Sequence, residues 1–171
     1  MNQHSLRTAP DQIGSELVYS PMDASTAREI ADRWKYPPPY DFYDMTADPE
    51  DYEEFVTAAL WPEVFLQARL GGQIFGFLSG ELSEAGSASV LEIGLGMHPD
   101  LTGRGLGTMF MRRNLEWIRG AYPGAGIRLS VASFNQRGIK VHRKNGFHVV
   151  RNFVLTTNGG EYDFVEMRYG A

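Results

Sequence analysis

The sequence predicts an α+β protein with a mixed, mostly antiparallel central sheet of six to seven strands flanked by about four helices. Two observations favour this fold class. Segments with a strand-like apolar period of two alternate along the chain with segments of helical period. Short glycine-containing turns join three consecutive strand patterns, which makes those strands antiparallel. The 171 residues, 43% of them hydrophobic, are enough for one domain with a full core.

The first part of the chain contains two predicted helices. Residues 1–15 have no periodic apolar pattern and are predicted to be a flexible tail before a single domain at 16–171. A short strand at 16–19 precedes a helix that starts near Pro21 and Asp23 and ends by Trp34, because the following prolines cannot continue it. The second helix has Asp48-Pro49 as its start and ends before Trp61-Pro62.

Three strands follow and form an antiparallel unit. Residues 64–70 and 73–82 alternate on either side of Gly71-Gly72, which is typical of a hairpin. Residues 89–98 pair next, through a turn of small residues at 84–87. The remaining predicted elements are a helix at about 105–119, a strand at 127–132, a helix at 136–145, and strands at 147–156 and 162–169.

Composition excludes several classes of protein. The chain has no cysteine, so it has neither disulfides nor a thiolate nucleophile, and no apolar run approaches the ~20 residues of a membrane span. The first residues have no apolar segment that could serve as a signal peptide, so we expect a cytoplasmic protein without a membrane partner. A net charge of −5 argues against a nucleic-acid partner. The four histidines show no metal-ligand spacing, and no metal site is expected.

The strongest motif lies between an apolar strand and a helix, where Gly103, Gly105 and Gly107 alternate with other residues. A helix start presents unpaired N–H groups and the positive end of the helix dipole, and glycines let these amides approach a phosphate closely. The pattern indicates a pyrophosphate site, although ordinary tight turns also contain such glycines. The chain has no Gly-Lys-Ser/Thr of a P-loop, and the spacing differs from the Gly-X-Gly-X-X-Gly of dinucleotide folds.

Two stretches resemble the acetyl-CoA-binding motifs of the GCN5-related N-acetyltransferases, the GNAT family. Residues 102–107 (TGRGLG) are similar to the family's Arg/Gln-X-X-Gly-X-Gly/Ala loop, with Thr102 at the first position. Residues 129–147 (LSVASFNQRGIKVHRKNGF) resemble the family's second motif, a strand followed by Asn, a short helix and Lys-X-Gly-Phe. The resemblance is firm from 91 to 147 and looser over the rest of 16–169.

This resemblance implies a cofactor, acetyl-CoA, and residues that hold it. The loop amides would bind the diphosphate, and the main chain of Leu95 and Met97 would pair with the pantetheine arm. Asn135 would contact the same arm, although its type is equally explained as a helix N-cap. The expected cofactor-binding residues are Leu95, Met97, Gly103, Arg104, Gly105, Leu106, Gly107, Thr108 and Asn135.

Two catalytic residues are expected. Glu92 precedes Gly94 and Gly96 on one face of the strand and could take the proton of the acceptor amine if burial raises the pKa of its carboxyl; alternatively it pairs with an arginine or a backbone group. His142 stands where many family members have a tyrosine acid, four residues before Gly146. It could protonate the departing thiolate, or it could pack or bind the cofactor without doing so.

The acceptor pocket is expected in the variable parts of the chain. Tyr36, Tyr40 and Tyr43 lie in a proline-rich loop that, by the resemblance, lines the substrate pocket, and their rings could bind an amine or only pack on the core. We therefore expect an N-acetyltransferase that transfers acetyl directly to a primary amine of a small molecule, amino acid or peptide. A protein N-terminal acetyltransferase and a non-catalytic acyl-CoA sensor remain alternatives, and the chain is compatible with a homodimer.

Overall fold

The computed structural model describes residues 9–85 and 88–170 of the chain. Its helices are α1 (Pro10–Glu16), α2 (Ala24–Arg33), α3 (Pro49–Val56), α4 (Gly107–Ala121) and α5 (Gln136–Lys144). Its strands are β1 (Val18–Pro21), β2 (Val64–Leu70), β3 (Gln73–Ala85), β4 (Ala88–Met97), β5 (Gly126–Ala132), β6 (Phe147–Thr157) and β7 (Gly160–Tyr169). The predicted turn at 84–87 lies partly outside the described residues.

The seven strands form one sheet in the order β1-β2-β3-β4-β5-β7-β6. Neighbouring strands are antiparallel except β4 and β5, which are parallel. The predicted α+β class and mostly antiparallel sheet are therefore confirmed. Parallel pairing of β4 and β5 follows from the connection between them, because α4 returns the chain to the same end of the sheet.

The prediction of a flexible tail over residues 1–15 is wrong for residues 10–15, which belong to α1. Pro10 opens this seven-residue helix, and Ile13 and Gly14 are buried. The helix packs on α4 so closely that a Cβ on Gly14 would lie 2.9 Å from the sulfur of Met109. The short helix carries too few apolar residues to show a period, so its tertiary contact rather than its own pattern fixes it.

The sheet has helices on both faces. Side chains of α4 and α5 pack on one face, where Leu91 and Ile93 of β4 are buried with Met111 and Ile118. On the other face α2 and α3 cover Phe65 of β2 and Phe77 of β3. The alternation predicted for β4 is confirmed, since Leu91 and Ile93 point into the core and Glu92 does not.

Beyond Glu92, β4 and β5 separate. Their pairing is restricted to Val90 with Gly126, Leu91 with Ile127 and Glu92 with Arg128. Residues 93–97 and 129–132 then form the two sides of a wedge that is open through the sheet. Helices α4 and α5 both begin after the diverging strands, so their N-terminal turns lie near the wide end of this wedge.

Candidate active site

A cavity of about 520 Å³ occupies the wedge and passes from one face of the sheet to the other. On the α4 and α5 side it is lined by the glycine turn and by residues of both helices. On the α2 side it is lined by aromatic and apolar residues. The lining residues on the α2 side are Ile30, Trp34, Tyr36, Tyr40, Tyr43, Met45 and Phe77.

The main chain of Leu95 and Met97 faces the wedge. The N–H of His98 donates to the carbonyl of Phe75 across β3 and β4. Because hydrogen-bonded pairs alternate along antiparallel strands, Gly96 and Gly94 also bond to β3, whereas residues 95 and 97 direct their N–H and C=O groups to the opposite edge. These groups border the cavity beyond the last paired residue of β4, as a strand-like ligand requires.

The β5 side of the wedge follows the same rule. The N–H of Ser133 donates to the backbone carbonyl of Asp163 in β7. Because hydrogen-bonded pairs alternate, Ala132 and Ser130 direct their backbone N–H and C=O groups toward β4. The carbonyl of Ala132 accepts a hydrogen bond from the N–H of Asn135 at 2.9 Å. This local turn places Asn135, the cap of α5, at the edge of the cavity.

Two tyrosines of the proline-rich loop bind the two separated strands. The Tyr36 hydroxyl donates to the Met97 carbonyl at 2.9 Å. The Tyr43 hydroxyl oxygen accepts hydrogen bonds from the Ala132 N–H at 3.2 Å and from Asn135 Nδ2 at 3.3 Å. Burial raises the pKa of both phenols, so both are protonated at neutral pH. The loop thus closes the wide end of the wedge with one phenol on each strand.

Tyr40 has a different role in the same loop. The guanidinium of Arg137 lies over its ring, 4.0 Å from the centroid, which is a cation–π contact. Arg137 is also near the glycine turn, since a Cβ on Gly103 would lie 3.8 Å from its Nη1. The pair therefore connects the aromatic loop with the predicted phosphate site.

The glycine turn has the backbone that an anion site needs. Gly103 and Gly105 have φ angles of 72° and 77°, a region that residues with a Cβ adopt only with strain. Gly107 begins α4, whose N-terminal turn has no side-chain cap. A Cβ at Gly107 would lie 3.2 Å from Val141, so this glycine also permits close packing of α4 on α5.

The structure divides the predicted loop residues into two groups. Gly103, Gly105, Gly107 and Thr108 line the cavity. Leu106 is buried in the core, and Arg104 is exposed outside the cavity lining, so any contribution of these two residues would come from their main chain. The positively charged side chains that line the cavity come from α5 and are Arg137, Lys140 and Lys144.

Asn135 combines the two roles that its sequence position allowed. Its Oδ1 accepts a hydrogen bond from the Gly138 N–H at 2.8 Å, which caps α5. Its Nδ2 then points toward Tyr43, and the residue lines the cavity. Gly138 leaves room for this side chain, because a Cβ would lie 2.7 Å from Asn135 Nδ2 and would displace it.

Glu92 lies outside the cavity, so its predicted role as the amine's base is not supported. Its carboxylate pairs with Arg128 of β5, with contacts of 2.8 Å to Nη2 and 3.0 Å to Nε. The side chain is 47% exposed, on the face of the sheet opposite α4 and α5. The alternative expectation, an arginine pair, is what the structure shows. None of the described residues that line the cavity is Asp or Glu.

His142 lines the cavity but is not available as the predicted acid in its charged form. Its side chain is buried against Phe147, with ring centroids 5.8 Å apart, and Nδ1 has no hydrogen-bond partner among the described residues. Burial lowers the pKa of His142 to about 4, so the imidazole is neutral at pH 7. A neutral imidazole is a poor proton donor, although its nitrogen can still bind a ligand.

Sequence reasoning missed several lining residues. Trp34 directly follows α2, and Met45 lies two residues after Tyr43, so both could have been found by extending the predicted wall along the chain. Ile30, Phe77 and Ser130 could not, because only the packing of α2 on the sheet and the separation of β4 and β5 bring them to the cavity.

Within residues 9–85 and 88–170, no group of three His, Asp or Glu side chains is arranged to hold a metal ion. The helices in this part of the chain are all too short or too polar to cross a membrane.

Comparisons with known proteins identify the fold. The chain resembles an aminoglycoside N(6')-acetyltransferase from Legionella pneumophila, with a TM-score of 0.70, 16% identity, and coverage of 90% of this chain and 91% of that one. The chain also resembles a spermidine N-acetyltransferase chimera of Vibrio cholerae SpeG and hSSAT, with a TM-score of 0.63, 20% identity, and coverage of 90% of this chain and 95% of that one. A third similar structure is Mycobacterium smegmatis RimJ in complex with CoA-disulfide, with a TM-score of 0.64, 17% identity, and coverage of 91% of this chain and 82% of that one.

Sequence comparison gives the family directly. No curated protein sequence matches significantly. Residues 27–147 match the profile described as the Acetyltransferase (GNAT) family, and this range contains the glycine turn, the wedge and the aromatic loop. The match covers well over half of the 171 residues. The chain belongs to the GNAT family of acetyltransferases.

Proposed function

We propose that this protein transfers an acetyl group from acetyl-CoA directly to the primary amine of a small molecule with an apolar body. The observation that carries the proposal is the continuous cavity through the wedge. One end has glycine-turn amides and three cationic side chains, and the other end is a wall of aromatic and apolar residues. A donor and an acceptor can therefore enter from opposite faces and meet between the strands.

The residues present fit coenzyme A. The glycine-turn amides and the α4 N-terminus suit a diphosphate, and Arg137, Lys140 and Lys144 supply positive charge at the same end. The free main-chain edge of Leu95 and the N–H of Met97 suit the amide groups of the pantetheine arm. When bound, the cofactor supplies an acetyl thioester, whose carbonyl carbon an amine can attack.

The protein's own groups then have defined roles. The Leu95 N–H lies on the wedge edge and can donate to the acetyl oxygen as negative charge develops there. Tyr36 keeps the Met97 carbonyl occupied, so this strand offers donors rather than acceptors at its end. Because no described carboxylate lines the cavity, the amine must enter in its neutral form or lose its proton to solvent at the cavity mouth.

The acceptor wall favours an apolar amine. Trp34, Phe77 and Ile30 offer large apolar surfaces, and the described lining lacks the acidic groups that would bind several ammonium charges. Two of the structural relatives are named as a spermidine and an aminoglycoside N-acetyltransferase. Here we expect phenethylamine-like compounds to be better acceptors than spermidine, which has several cationic nitrogens at neutral pH.

A thiol-release assay with acetyl-CoA tests this proposal. The panel contains phenethylamine, spermidine, an aminoglycoside and a short peptide with a free N-terminus. We expect the highest kcat/KM with phenethylamine, by at least about tenfold over spermidine. Preference for the peptide would instead support N-terminal acetylation. Binding of acetyl-CoA in calorimetry without turnover of any amine would support the sensor alternative and refute the enzyme.

A further inference from the structure

The hydroxyl of Tyr43 has an unusual set of partners. Its oxygen accepts two hydrogen bonds, from the Ala132 N–H at 3.2 Å and from Asn135 Nδ2 at 3.3 Å. A phenol oxygen has two lone pairs and one hydrogen. With both lone pairs occupied by donors, the hydrogen must point elsewhere, and no described residue accepts it. Tyr43 lines the cavity, so this O–H is a donor available to a ligand.

None of the three other candidates, Tyr36, His142 and Tyr40, can donate in the same way. The Tyr36 hydrogen is used by the Met97 carbonyl at 2.9 Å. His142 is neutral at pH 7 because burial lowers its pKa to about 4. Tyr40 has no donor to its oxygen among the described residues, and its ring lies against Arg137. Tyr43 is thus the cavity phenol whose proton is free and whose oxygen is prepared for negative charge.

The two N–H donors matter chemically because they stabilise the phenolate. Burial raises the pKa of Tyr43, and the hydrogen bonds from Asn135 and Ala132 act in the opposite direction. This is the arrangement that an acid needs inside an apolar cavity: the proton stays on at neutral pH, and the conjugate base is stabilised when the proton leaves.

The position of Tyr43 is also suitable. Ala132 lies four residues beyond Arg128 on β5, and Gly96 lies four residues beyond Glu92 on β4, so these two positions are opposite each other across the wedge. The Tyr43 hydroxyl, which is bonded to the Ala132 N–H, therefore lies on the β5 side of the wedge, across the cavity from the segment of β4 that contains Leu95. A thioester whose oxygen is held by the Leu95 N–H would lie in the same cavity as the Tyr43 hydroxyl.

We propose, building on the acetyl transfer proposed above, that Tyr43 is the proton donor to the departing sulfur. The amine nitrogen bonds to the acetyl carbon, and the carbon–sulfur bond breaks with its electron pair on sulfur. The Tyr43 O–H bond then breaks as its proton moves to that sulfur. The phenolate, held by Ala132 and Asn135, regains a proton that the new amide nitrogen loses, through water. The loop thereby supplies an acid that α5 lacks at His142.

A binding experiment tests this role without any acceptor. An O–H donor beside the sulfur stabilises the thiolate of CoA, whereas acetyl-CoA has no thiol to ionise. If Tyr43 lowers the pKa of the bound thiol by about one unit from about 8.5, the affinity ratio of CoA to acetyl-CoA rises about sixfold from pH 7 to pH 9. Calorimetry should show this rise for the wild type and a clearly smaller rise for Tyr43→Phe.

Other titratable groups line the same cavity and can also act on the bound thiol: Tyr36, Tyr40, Arg137, Lys140, His142 and Lys144. They are present in the wild type and in Tyr43→Phe alike, so their contribution cancels when the pH dependence of the ratio is compared between these two proteins. Tyr122→Phe is the matched control, because Tyr122 does not line the cavity. Its hydroxyl donates a hydrogen bond to the exposed carboxylate of Glu63 at 3.0 Å.

Turnover and stability give the second readout. We expect Tyr43→Phe to lower kcat by about 30-fold or more while the KM for acetyl-CoA changes less than about threefold, because the ring remains in the cavity wall and the proton donor is lost. A merely structural role would instead raise KM with kcat retained. Tm falls in either case, because the Ala132 N–H and Asn135 Nδ2 lose their acceptor. An affinity ratio in Tyr43→Phe that still follows the wild type would overturn the proposal. Failure of the wild type to bind either ligand would overturn the acetyl-CoA function first.

Discussion

Burial of His142 predicts a specific dependence of stability on pH. The pKa of this side chain is lowered to about 4 in the folded protein, compared with 6.5 for an ordinary histidine, because burial disfavours the imidazolium. As the pH falls below about 6.5, His142 therefore becomes protonated in the unfolded chain but stays neutral in the folded protein. Stability from this group is fully present above pH 6.5 and is lost as the pH falls toward 4.

The magnitude follows from the two pKa values. Between pH 7.5 and pH 5 the linkage relation gives a loss of about 2 kcal/mol in the free energy of unfolding, from a side chain that is only 8% exposed. His142→Leu removes the titration and fills the same apolar site. Its free energy of unfolding should therefore fall by about 2 kcal/mol less than that of the wild type over this range.

Urea unfolding at pH 7.5 and pH 5 measures both values. Comparing the variant with the wild type is essential, because hydrogen bonds from Arg151 and Arg168 also lower the pKa of Glu166, which makes the wild type acid-sensitive in its own right. His148→Leu controls for the loss of an exposed imidazole. Equal losses of stability in the wild type and His142→Leu would refute a buried, neutral His142.

Three further predictions concern the site and the sheet. Glu92→Gln should keep kcat within about twofold at every pH from 6 to 9, since it breaks only an exposed ion pair; a selective loss at low pH would restore this carboxylate as the base. Gly105→Ala and Gly124→Ala both place a Cβ at positive φ with no atom within 4 Å, so each should lower the free energy of unfolding in urea by about 1–2 kcal/mol. Only Gly105→Ala should also weaken acetyl-CoA binding in calorimetry, by about tenfold. Gly96→Ala should lower Tm strongly, because its Cβ would lie 2.3 Å from the ring of Phe77. Gly120→Ala in α4 meets no atom within 4 Å and should raise Tm slightly. Similar Tm values for the two variants would contradict this packing.

Local features of the site were predictable from the sequence. The strand, glycine turn and helix around residues 91–119 depend on alternation, on glycines that permit positive φ and on a helix start, and all of these act within a few residues. The face on which Glu92 lies also followed from alternation alone. The capping by Asn135 was predicted for the same reason, since an N-cap bonds within its own first turn.

What lies next to those local features was decided only by the tertiary structure. Alternation could not show that Glu92 faces Arg128, because that pair depends on the register of β4 with a strand more than thirty residues later in the chain. The neutral state of His142 depends on its burial against Phe147, and the two hydrogen bonds to Tyr43 depend on the folded path of the loop. Sequence determines which groups are present and their local geometry, whereas pKa values and proton donors depend on distant segments that only folding brings into contact.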